Sequence, residues 1–300
     1  MMKLTPELTT ALTQDRPTVA LESTLICHGI PKPENADLAR QMESQVRFEG
    51  ACPATMAVID GTVRIGLEAE ELQRLAEADD VAKCTTRDLP MVMANGGLGA
   101  TTVASTIYLA AQHGIGVMAT GGLGGVHIGG EQSFDISADL QELQRSAVTV
   151  VCAGIKSILD QARTMEVLES LGVPVIGYRC TELPAFYTAE SGIDIPGVDR
   201  LDDLVQIIRC HKALNLPCGL LVVTPPPQDL ALSGSETAKL VAEARLAAEQ
   251  SNVFGPAQTP FMLRHMASAS HGRTVQLNMQ LATANATLAA KIATRLSSPK

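Results

Sequence analysis

The chain has 300 residues, of which 46% are hydrophobic, and its formal net charge at pH 7 is -9. This acidic balance argues against a nucleic-acid-binding surface, and the 3% of aromatic residues, with no tryptophan, argues against stacking platforms for single strands. No apolar run approaches the ~20 residues that a membrane-spanning helix needs, and the polar N-terminal segment lacks the apolar centre of a signal peptide.

Seven cysteines are scattered along the chain without any CxxC spacing. Cys27, Cys84 and Cys152 lie in or beside apolar runs that resemble strands. An odd number of unclustered cysteines in such runs is typical of reduced, buried thiols, so we expect a cytoplasmic protein without a disulfide framework.

After a short polar helix at the N-terminus, short apolar runs alternate with helical patterns to the end of the chain. Most runs are continuously apolar, as in strands covered on both faces. The predicted strands are residues 18–21, 55–59, 62–65, 81–84, 91–94, 116–120, 148–152, 174–178 and 219–224, and the clearest predicted helices are residues 34–49, 100–112, 156–171 and 275–296.

This alternation predicts an α/β protein with three α/β/α layers and a mostly parallel or mixed central sheet. The chain is long enough to bury a large core as one domain or two. Because we find no linker and no internal repeat, we predict a single domain over residues 1–300.

Two charged residues lie in or at the end of predicted covered strands. Glu22 follows the first strand, shortly before His28. A carboxylate there is costly unless it is paired or functional, and it could act as a general acid. Lys83 lies within an apolar strand, and buried lysines are rare unless paired. The alternative is that each side chain is exposed at its strand end.

Two glycine-rich loops follow predicted strands. The loop at residues 95–102 opens a predicted helix, and its amides and hydroxyls suit an anion at a helix N-terminus. The loop GGLGG at residues 121–125 lacks the spacing of a dinucleotide site, since His127 and a second glycine pair interrupt any helix. Each loop could bind a phosphate or could be a tight turn without chemical consequence.

Asp135, Ser137 and Asp139 alternate along an acidic turn. In an extended segment all three face one way, and in a helix Asp135 and Asp139 share a face. Either arrangement could bind a hard cation such as Mg²⁺ or Mn²⁺. The alternative, which the pattern alone favours, is capping of a helix that begins near Ser137.

Lys156 lies where the strand at residues 148–152 leads into the helix predicted from residue 156. A cation is disfavoured at a helix N-terminus because the macrodipole there favours negative charge. The same field favours the neutral amine, which could be a nucleophile.

Taken in this order, these segments resemble the pseudouridine-5′-phosphate glycosidase family, also called indigoidine synthase A-like. The resemblance extends over nearly the whole chain, from about residue 4 to residue 296. The segments that carry it are ALESTLICHGIPKPEN, VAKCTTRDLP, GATTVASTI, ATGGLGGVH, SFDISADLQELQRSAVTVVCAGIKSILD, GVPVIGY, ELPAFY, TPFMLRHM and the helix that holds Asn278 and Asn285.

The resemblance implies an enzyme that cleaves the carbon–carbon glycosidic bond of pseudouridine 5′-phosphate to uracil and ribose 5-phosphate. It implies that Lys156 forms an imine with ring-opened ribose, that Glu22 donates a proton, and that Asp135 binds a divalent metal, usually manganese. It also implies a homotrimer whose partners are small molecules. The positions it assigns to the substrate or its pocket are Lys83, Val103, Thr120, His127, Ser137, Ala138, Asp139 and Asn278.

Two positions depart from the family pattern. Ile128 and Thr86 stand where the family usually has arginine, and both changes remove positive charge near the expected pocket. Two other interpretations remain open. One is a class I aldolase-like lyase that uses Lys156 on another sugar phosphate, and the other is a non-catalytic sugar-phosphate sensor.

Overall fold

In the computed structural model, which describes residues 2–298 except for the side chain of residue 256, eleven strands form one sheet and two short strands form a separate ribbon. The strands are β1 (Met2–Leu4), β2 (Thr18–Leu21), β3 (Cys52–Ile59), β4 (Thr62–Ile65), β5 (Ala82–Cys84), β6 (Gly99–Thr101), β7 (Val117–Ala119), β8 (Val126–His127), β9 (Thr149–Cys152), β10 (Leu159–Asp160), β11 (Val175–Tyr178), β12 (Gly197–Val198) and β13 (Leu220–Val223).

The helices are α1 (Pro6–Thr13), α2 (Glu34–Phe48), α3 (Ala69–Glu77), α4 (Leu89–Ala94), α5 (Val103–Gln112), α6 (Gly130–Ser133), α7 (Ala138–Arg145), α8 (Gln161–Ser170), α9 (Leu201–Ala213), α10 (Gly234–Gln250), α11 (Gln258–Ala269) and α12 (Arg273–Ser297). A π-helical turn (Leu25–Gly29) follows β2, and a 3₁₀ turn (Gly255–Ala257) precedes α11.

The main sheet is mixed, with the order β1-β4-β3-β2-β7-β9-β13-β11-β12, and β6 joins β3 to β5. The central strands β3, β2, β7, β9, β13 and β11 pair in parallel, whereas β4 and β6 pair antiparallel with β3. Because central parallel strands are covered on both faces, β2, β7, β9 and β13 consist mostly of apolar residues, and all of their residues are buried.

Successive residues of the central strands enter opposite helical layers. In β2, Ala20 packs with the layer that includes α1, α5 and α7, whereas Val19 and Leu21 pack with α2, α9 and α12. In β9, Val150 and Val151 are divided between the two layers in the same way. This alternation follows from the period of two along a strand. The prediction of three α/β/α layers around a mixed sheet is confirmed.

Most predicted bounds differ from the structure by one to three residues, and three predictions differ in a way that matters for the fold or the site. Residues 91–94 belong to α4 rather than to a strand. The helix predicted from residue 100 begins at Val103, after β6. The helix predicted from Lys156 begins only at Gln161.

All seven cysteines are free, as predicted, but Cys210 is exposed rather than buried. Burial raises the pKa of the Cys84 and Cys152 thiols to about 12, so neither is a thiolate at neutral pH. No helix within residues 2–298 combines the length and the apolar character that crossing a bilayer requires.

Candidate functional site

Three neighbouring parallel strands end at the same edge of the sheet, and each is followed by a residue of the predicted site. Glu22 follows β2, Thr120 follows β7, and Lys156 lies four residues after the end of β9. Since the order in the sheet is β2-β7-β9, these three segments converge although they are far apart in the sequence. Ligands of open α/β sheets bind at this carboxyl edge.

Two connected cavities open at this edge. We call the smaller one, of about 60 Å³, the inner chamber, and the larger one, of about 820 Å³, the outer cleft. Glu22, Thr24, Lys83, Lys156 and Thr259 line both. All eleven residues that sequence analysis assigned to the site line one cavity or the other. Thr120 and Asn278 line the inner chamber, and Val103, His127, Asp135, Ser137, Ala138 and Asp139 line the outer cleft.

Glu22 is buried, with 7% of its surface exposed, and each of its carboxylate oxygens accepts a hydrogen bond. The hydroxyl of Thr24 donates to Oε2, and the hydroxyl of Thr120 donates to Oε1. Hydroxyls can both donate and accept, so these partners can follow a change in the protonation of the carboxyl. The alternative of an exposed strand end is therefore wrong for Glu22.

Lys156 lies in a tight segment between β9 and β10 rather than at a helix N-terminus. Its amide donates to the carbonyl of Leu123 at 3.0 Å, and its carbonyl accepts from the side chain of Gln161 at 3.1 Å. Because α8 begins five residues later, its macrodipole does not act on Lys156 as the sequence suggested. What holds the lysine in place is backbone pairing with the glycine loop.

Gly154 makes that pairing possible. Its φ is +84°, a left-handed value that favours glycine, and a Cβ on it would lie 1.8 Å from the carbonyl oxygen of Pro184. Its own carbonyl accepts the amide of Leu123 at 2.9 Å. The loop that presents Lys156 therefore depends on a position where only glycine fits.

Lys83, at the centre of β5, shares both cavities with Lys156. Burial lowers the pKa of Lys83, and the charge of Lys156 lowers it further, whereas the carboxylates of Asp139, Glu22 and Asp135 oppose the shift. Two amines and three carboxylates thus meet in one half-buried space. Such a concentration of interacting titratable groups is typical of functional sites.

Asp139 is 5% exposed and joins two elements of the site. One carboxylate oxygen accepts the amide of Ala104 in the first turn of α5, and the other accepts the amide of Gly124, both at 2.9 Å. Sequence analysis suggested that the N-terminus of this helix binds an anion. In the structure the Asp139 carboxylate already occupies the amide of Ala104 there. The amide of Gly124 is likewise bound internally, and its missing Cβ leaves room for Ser137 and Asp139.

Asp135 and Ser137 lie on either side of a one-residue bridge between Val126 and Ile136. Ser137 caps α7, as the pattern favoured, by accepting the amide of Asp139 at 3.3 Å. Asp135 is half-buried at the wall of the outer cleft. Capping by Ser137 leaves the Asp135 carboxylate available for another partner.

The donor set around Asp135 fits a hard, largely hydrated cation. Within residues 2–298 no group of three or more histidine, cysteine, aspartate or glutamate side chains is arranged around a common metal position. A zinc site would need three or four such ligands. Mg²⁺ and similar ions commonly use one or two carboxylates, with water and substrate oxygens completing the shell.

His127 extends the outer cleft beside Asp135, whose carbonyl accepts the His127 amide at 3.0 Å. Burial lowers the pKa of His127, the carboxylate of Asp135 opposes the shift, and the charges of Lys83 and Lys156 lower it further. The imidazole is therefore neutral at neutral pH and can accept or donate one hydrogen bond at each ring nitrogen as its tautomer allows.

Sequence analysis did not assign several residues that line the cavities. Thr24 donates to Glu22, and the two-residue spacing in Glu-Ser-Thr was the only local signal for it. Phe186 and Leu263 give the inner chamber apolar walls. Both lie in segments that carry the family resemblance, but local sequence did not place them at the site, because a loop brings in Phe186 and α11 brings in Leu263 from distant parts of the chain. His28, whose imidazole also lines this chamber, was noted only for its place after Glu22.

The two departures from the family pattern lie in different places. Thr86 lines the outer cleft, as expected, beside Arg87. Ile128 lines a separate groove of about 700 Å³ along α10 instead. Arg145 also lines the outer cleft, so positive charge remains there despite Thr86.

The sequence matches the family model described as indigoidine synthase A like protein over residues 7–295. It is 48% identical over 288 residues to pseudouridine-5′-phosphate glycosidase of Staphylococcus aureus (strain MW2), covering 96% of this chain and 94% of that protein. It is 46% identical over 296 residues to the protein of the same name from Caldanaerobacter subterraneus subsp. tengcongensis, covering 98% of this chain and 96% of that protein.

Two solved structures resemble the fold over 99% of this chain and 97% of theirs. One is prealnumycin C-glycosynthase AlnA in complex with ribulose 5-phosphate, with a TM-score of 0.90 and 36% sequence identity. The other is an indigoidine synthase A-like protein from Thermotoga maritima, with a TM-score of 0.89 and 33% identity.

Proposed function

The chain belongs to the indigoidine synthase A-like family, and from this premise we propose that it is an enzyme that reversibly cleaves the C–C glycosidic bond of pseudouridine 5′-phosphate. The products are uracil and ribose 5-phosphate. Curated relatives at 46–48% identity carry the name of this activity over nearly their whole length. A structural relative with a C-glycosynthase name and bound ribulose 5-phosphate supports a sugar phosphate as ligand.

The observation that carries the proposal is that Glu22 and Lys156 line the same small chamber. One is a buried carboxyl group held by two hydroxyls, and the other is an amine on a rigid loop. An acid and a nucleophile facing one space are the pair that opening and capturing a sugar ring requires.

In the proposed reaction the Lys156 amine bonds to C1′ of the ribose while the C1′–O4′ bond breaks. Glu22 donates its proton to O4′, so the ring opens as an alcohol. The adduct nitrogen gives up one proton to the Glu22 carboxylate, which lost its own in the previous step, and so regains a lone pair. This lone pair forms a C1′=N bond while the bond from C1′ to the uracil carbon breaks, and that carbon takes up the proton from Glu22. Water hydrolyses the imine and releases ribose 5-phosphate. Direct oxocarbenium-type hydrolysis would instead expel a poor carbon leaving group in one step.

The outer cleft supports binding of the sugar phosphate. Lys83, Arg87 and Arg145 line it together with the first turn of α5 at Val103. Positive groups are needed here because the chain as a whole carries a net charge of -9 and would repel an anion. Asp139 organises this region by holding α5 and the glycine loop, next to Ser137 and Ala138.

We also propose that Asp135 binds one divalent cation, Mn²⁺ or a similar hard ion, with water and substrate oxygens as further ligands. When bound, such an ion polarises the oxygens that it contacts. The carboxylate of Asp135 would then offset the ion's charge beside His127.

A class I aldolase-like lyase acting on another sugar phosphate is the first alternative, and it would use Lys156 in the same way. A non-catalytic sugar-phosphate sensor is the second, although a sensor has no need for both Glu22 and Lys156 at one chamber. We further propose that the protein is cytoplasmic and that it forms a homotrimer. Light scattering of the purified protein would test the trimer.

The deciding experiment measures uracil release from pseudouridine 5′-phosphate with and without Mn²⁺, next to a panel of aldol donors. Borohydride reduction in the presence of ribose 5-phosphate should add the sugar phosphate to the peptide that contains Lys156. Cleavage of an aldol donor without uracil release would favour the lyase. Release without a reducible adduct would keep the activity but contradict the imine, and binding without any turnover would favour the sensor.

A further inference from the structure

The imidazole of His28 is held in one orientation at the wall of the inner chamber. Its Nε2 lies 3.0 Å from the carbonyl oxygen of Val81, which can only accept, so Nε2 carries the proton. Burial lowers the pKa of His28, and the charges of Lys83 and Arg264 lower it further against the opposing effect of the Val81 hydrogen bond. The ring is therefore neutral, with a lone pair on Nδ1.

That lone pair has no partner among the described residues, although Nδ1 is shielded from solvent. A buried acceptor without a donor is costly, so such atoms in native proteins call for an explanation. Because the tautomer is fixed from the other side of the ring, Nδ1 accepts hydrogen bonds and does not donate them. His28, which lines the chamber, thus carries a fixed acceptor for which the described residues supply no donor.

Asn278, on α12, provides a second polar group in the same chamber. It is 3% exposed, and its Oδ1 also lacks a partner within the part of the chain that the structure describes. Among residues 2–298 we find no hydrogen bond that fixes the direction of its amide. The amide can therefore turn either its oxygen or its nitrogen towards a ligand.

The remaining walls of the chamber are suited to a flat ring. Phe186, Leu25, Leu263 and Pro260 are apolar, and Gly121 and Gly122 leave the space that a side chain would fill. The arginines and the acidic turn lie in the outer cleft instead. The chamber is small, so the edge of a planar group would enter it while the charged remainder stays in the cleft.

We propose that His28 recognises the base of the substrate, with Nδ1 accepting a hydrogen bond from a ring N–H of the pyrimidine. The identity of the ligand rests on the proposed function. Uracil and pseudouridine carry two ring N–H donors, whereas uridine keeps only one because its other ring nitrogen is bonded to ribose. An acceptor that cannot donate favours the ring with the extra donor. His28 is thereby a specificity-determining residue for a C-nucleotide against its N-linked isomer.

Calorimetric titration with uracil, 1-methyluracil and 3-methyluracil tests this, because binding is measured without turnover. The wild-type protein should bind uracil more tightly than 1-methyluracil, in which a methyl group occupies the ring nitrogen that carries ribose in uridine. His28→Ala should weaken uracil binding about 5- to 100-fold and lose the preference over that same methylated ring. His28→Gln, which keeps a side-chain acceptor, should recover part of the affinity.

Two controls separate recognition from folding. His113→Ala removes a histidine that bonds a carbonyl of its own helix outside both cavities, and it should leave all three affinities unchanged. Borohydride trapping of ribose 5-phosphate on Lys156 needs no base and should persist in His28→Ala. Unchanged uracil affinity in His28→Ala, or an unchanged preference among the three rings, overturns the proposal. Failure of trapping in the wild type would overturn the imine instead and leave the titration valid.

Discussion

Asp139 lies 35 residues after Ala104 and accepts its backbone amide at 2.9 Å, so the helix α5 receives its N-terminal negative charge from within the chain. The other oxygen of the same carboxylate holds the amide of Gly124. Asp135, four residues earlier on the same turn, lines the outer cleft, and among the described residues its side chain accepts no comparable bond. We therefore expect the two carboxylates to have separable tasks: Asp139 holds two backbone amides, and Asp135 is the proposed metal ligand.

Replacing each carboxylate by alanine should separate these tasks. Asp139→Ala leaves two buried amides unpaired and should lower the free energy of unfolding by about 2–5 kcal/mol. Asp135→Ala should change it by less than about 0.5 kcal/mol while weakening Mn²⁺ binding. Urea unfolding and calorimetric Mn²⁺ titration measure the two effects. Unaltered Mn²⁺ affinity in Asp135→Ala would remove that residue as the ligand.

Glu22→Gln keeps the shape of the side chain and one acceptor but removes the transferable proton. If Glu22 is the acid, kcat for pseudouridine 5′-phosphate should fall ~100- to 10,000-fold with little change in KM. Trapping of ribose 5-phosphate should survive, because part of that sugar is already open-chain. A variant that turns over at the wild-type rate would show that the proton comes from another group, with His127 the next candidate.

Lys156→Ala should abolish both turnover and the borohydride-dependent mass increase. Lys239→Ala, at an exposed lysine on α10, is the matched control and should retain both. Mass spectrometry of the digested protein locates the label. A label that persists undiminished in Lys156→Ala, or one that is found on Lys83, would contradict the assignment of the nucleophile.

Gly154→Ala should damage the loop that presents Lys156. The added Cβ would lie 1.8 Å from the Pro184 carbonyl in a left-handed backbone, and we expect a loss of about 2–5 kcal/mol in the free energy of unfolding. Gly172→Ala also has positive φ but no atom within 4 Å of the new Cβ, and it should cost only about 1–2 kcal/mol. Equal losses in the two variants would mean that the clash is relieved by movement of the Pro184 loop.

The lowered pKa of Lys83 predicts a pH-dependent stability cost. At a pH below the pKa of Lys83 in the folded protein, the amine is charged in both the folded and the unfolded protein. Folding then bears the full free-energy cost of burying this charge. As pH rises towards the unfolded value of ~10.4, the folded protein loses the proton first and the cost declines. Lys83→Met should therefore be more stable than wild type near neutral pH, with a difference that shrinks at alkaline pH. Urea unfolding between neutral and alkaline pH measures it, and a difference that grows with pH would contradict the sign.

The layered architecture was predictable because continuously apolar strands report burial on both faces, and strands such as β2 and β4 have the predicted bounds. The short helix α4 was missed because a run of four apolar residues fits either kind of element. Pro90, in the first turn of α4 and two residues after Asp88, was a readable sign of a helix start that the prediction did not use. The Asp160 N-cap, which accepts the amide of Arg163, was another, and it would have placed the start of α8 correctly.

The identities of the site residues came from family motifs, whereas their convergence could not be derived from local patterns. Glu22 and Thr120 are 98 residues apart and meet only because β2 lies beside β7 in the sheet. The pairing of Leu123 with the Lys156 amide likewise depends on a distant segment, and it replaces the helix start that the local sequence suggested. Cavity lining supports the predicted roles, which stay predictions until the substitutions are measured.

The site needs residues from α12, the last helix that the structure describes, and therefore cannot be complete until that helix has been synthesised. Asn285 on α12 donates to the carbonyl of Thr120 at 2.8 Å and contacts that of Gly121, which ties down the exit of β7, and Asn278 on the same helix walls the chamber. α12 is the last of the described elements to be synthesised. The same helix covers one face of β2, β7 and β9, so these strands lack part of their apolar cover until α12 has been made. We therefore expect a chain that ends before Arg273 to lack a complete site, because Asn278 and Asn285 are both missing from it.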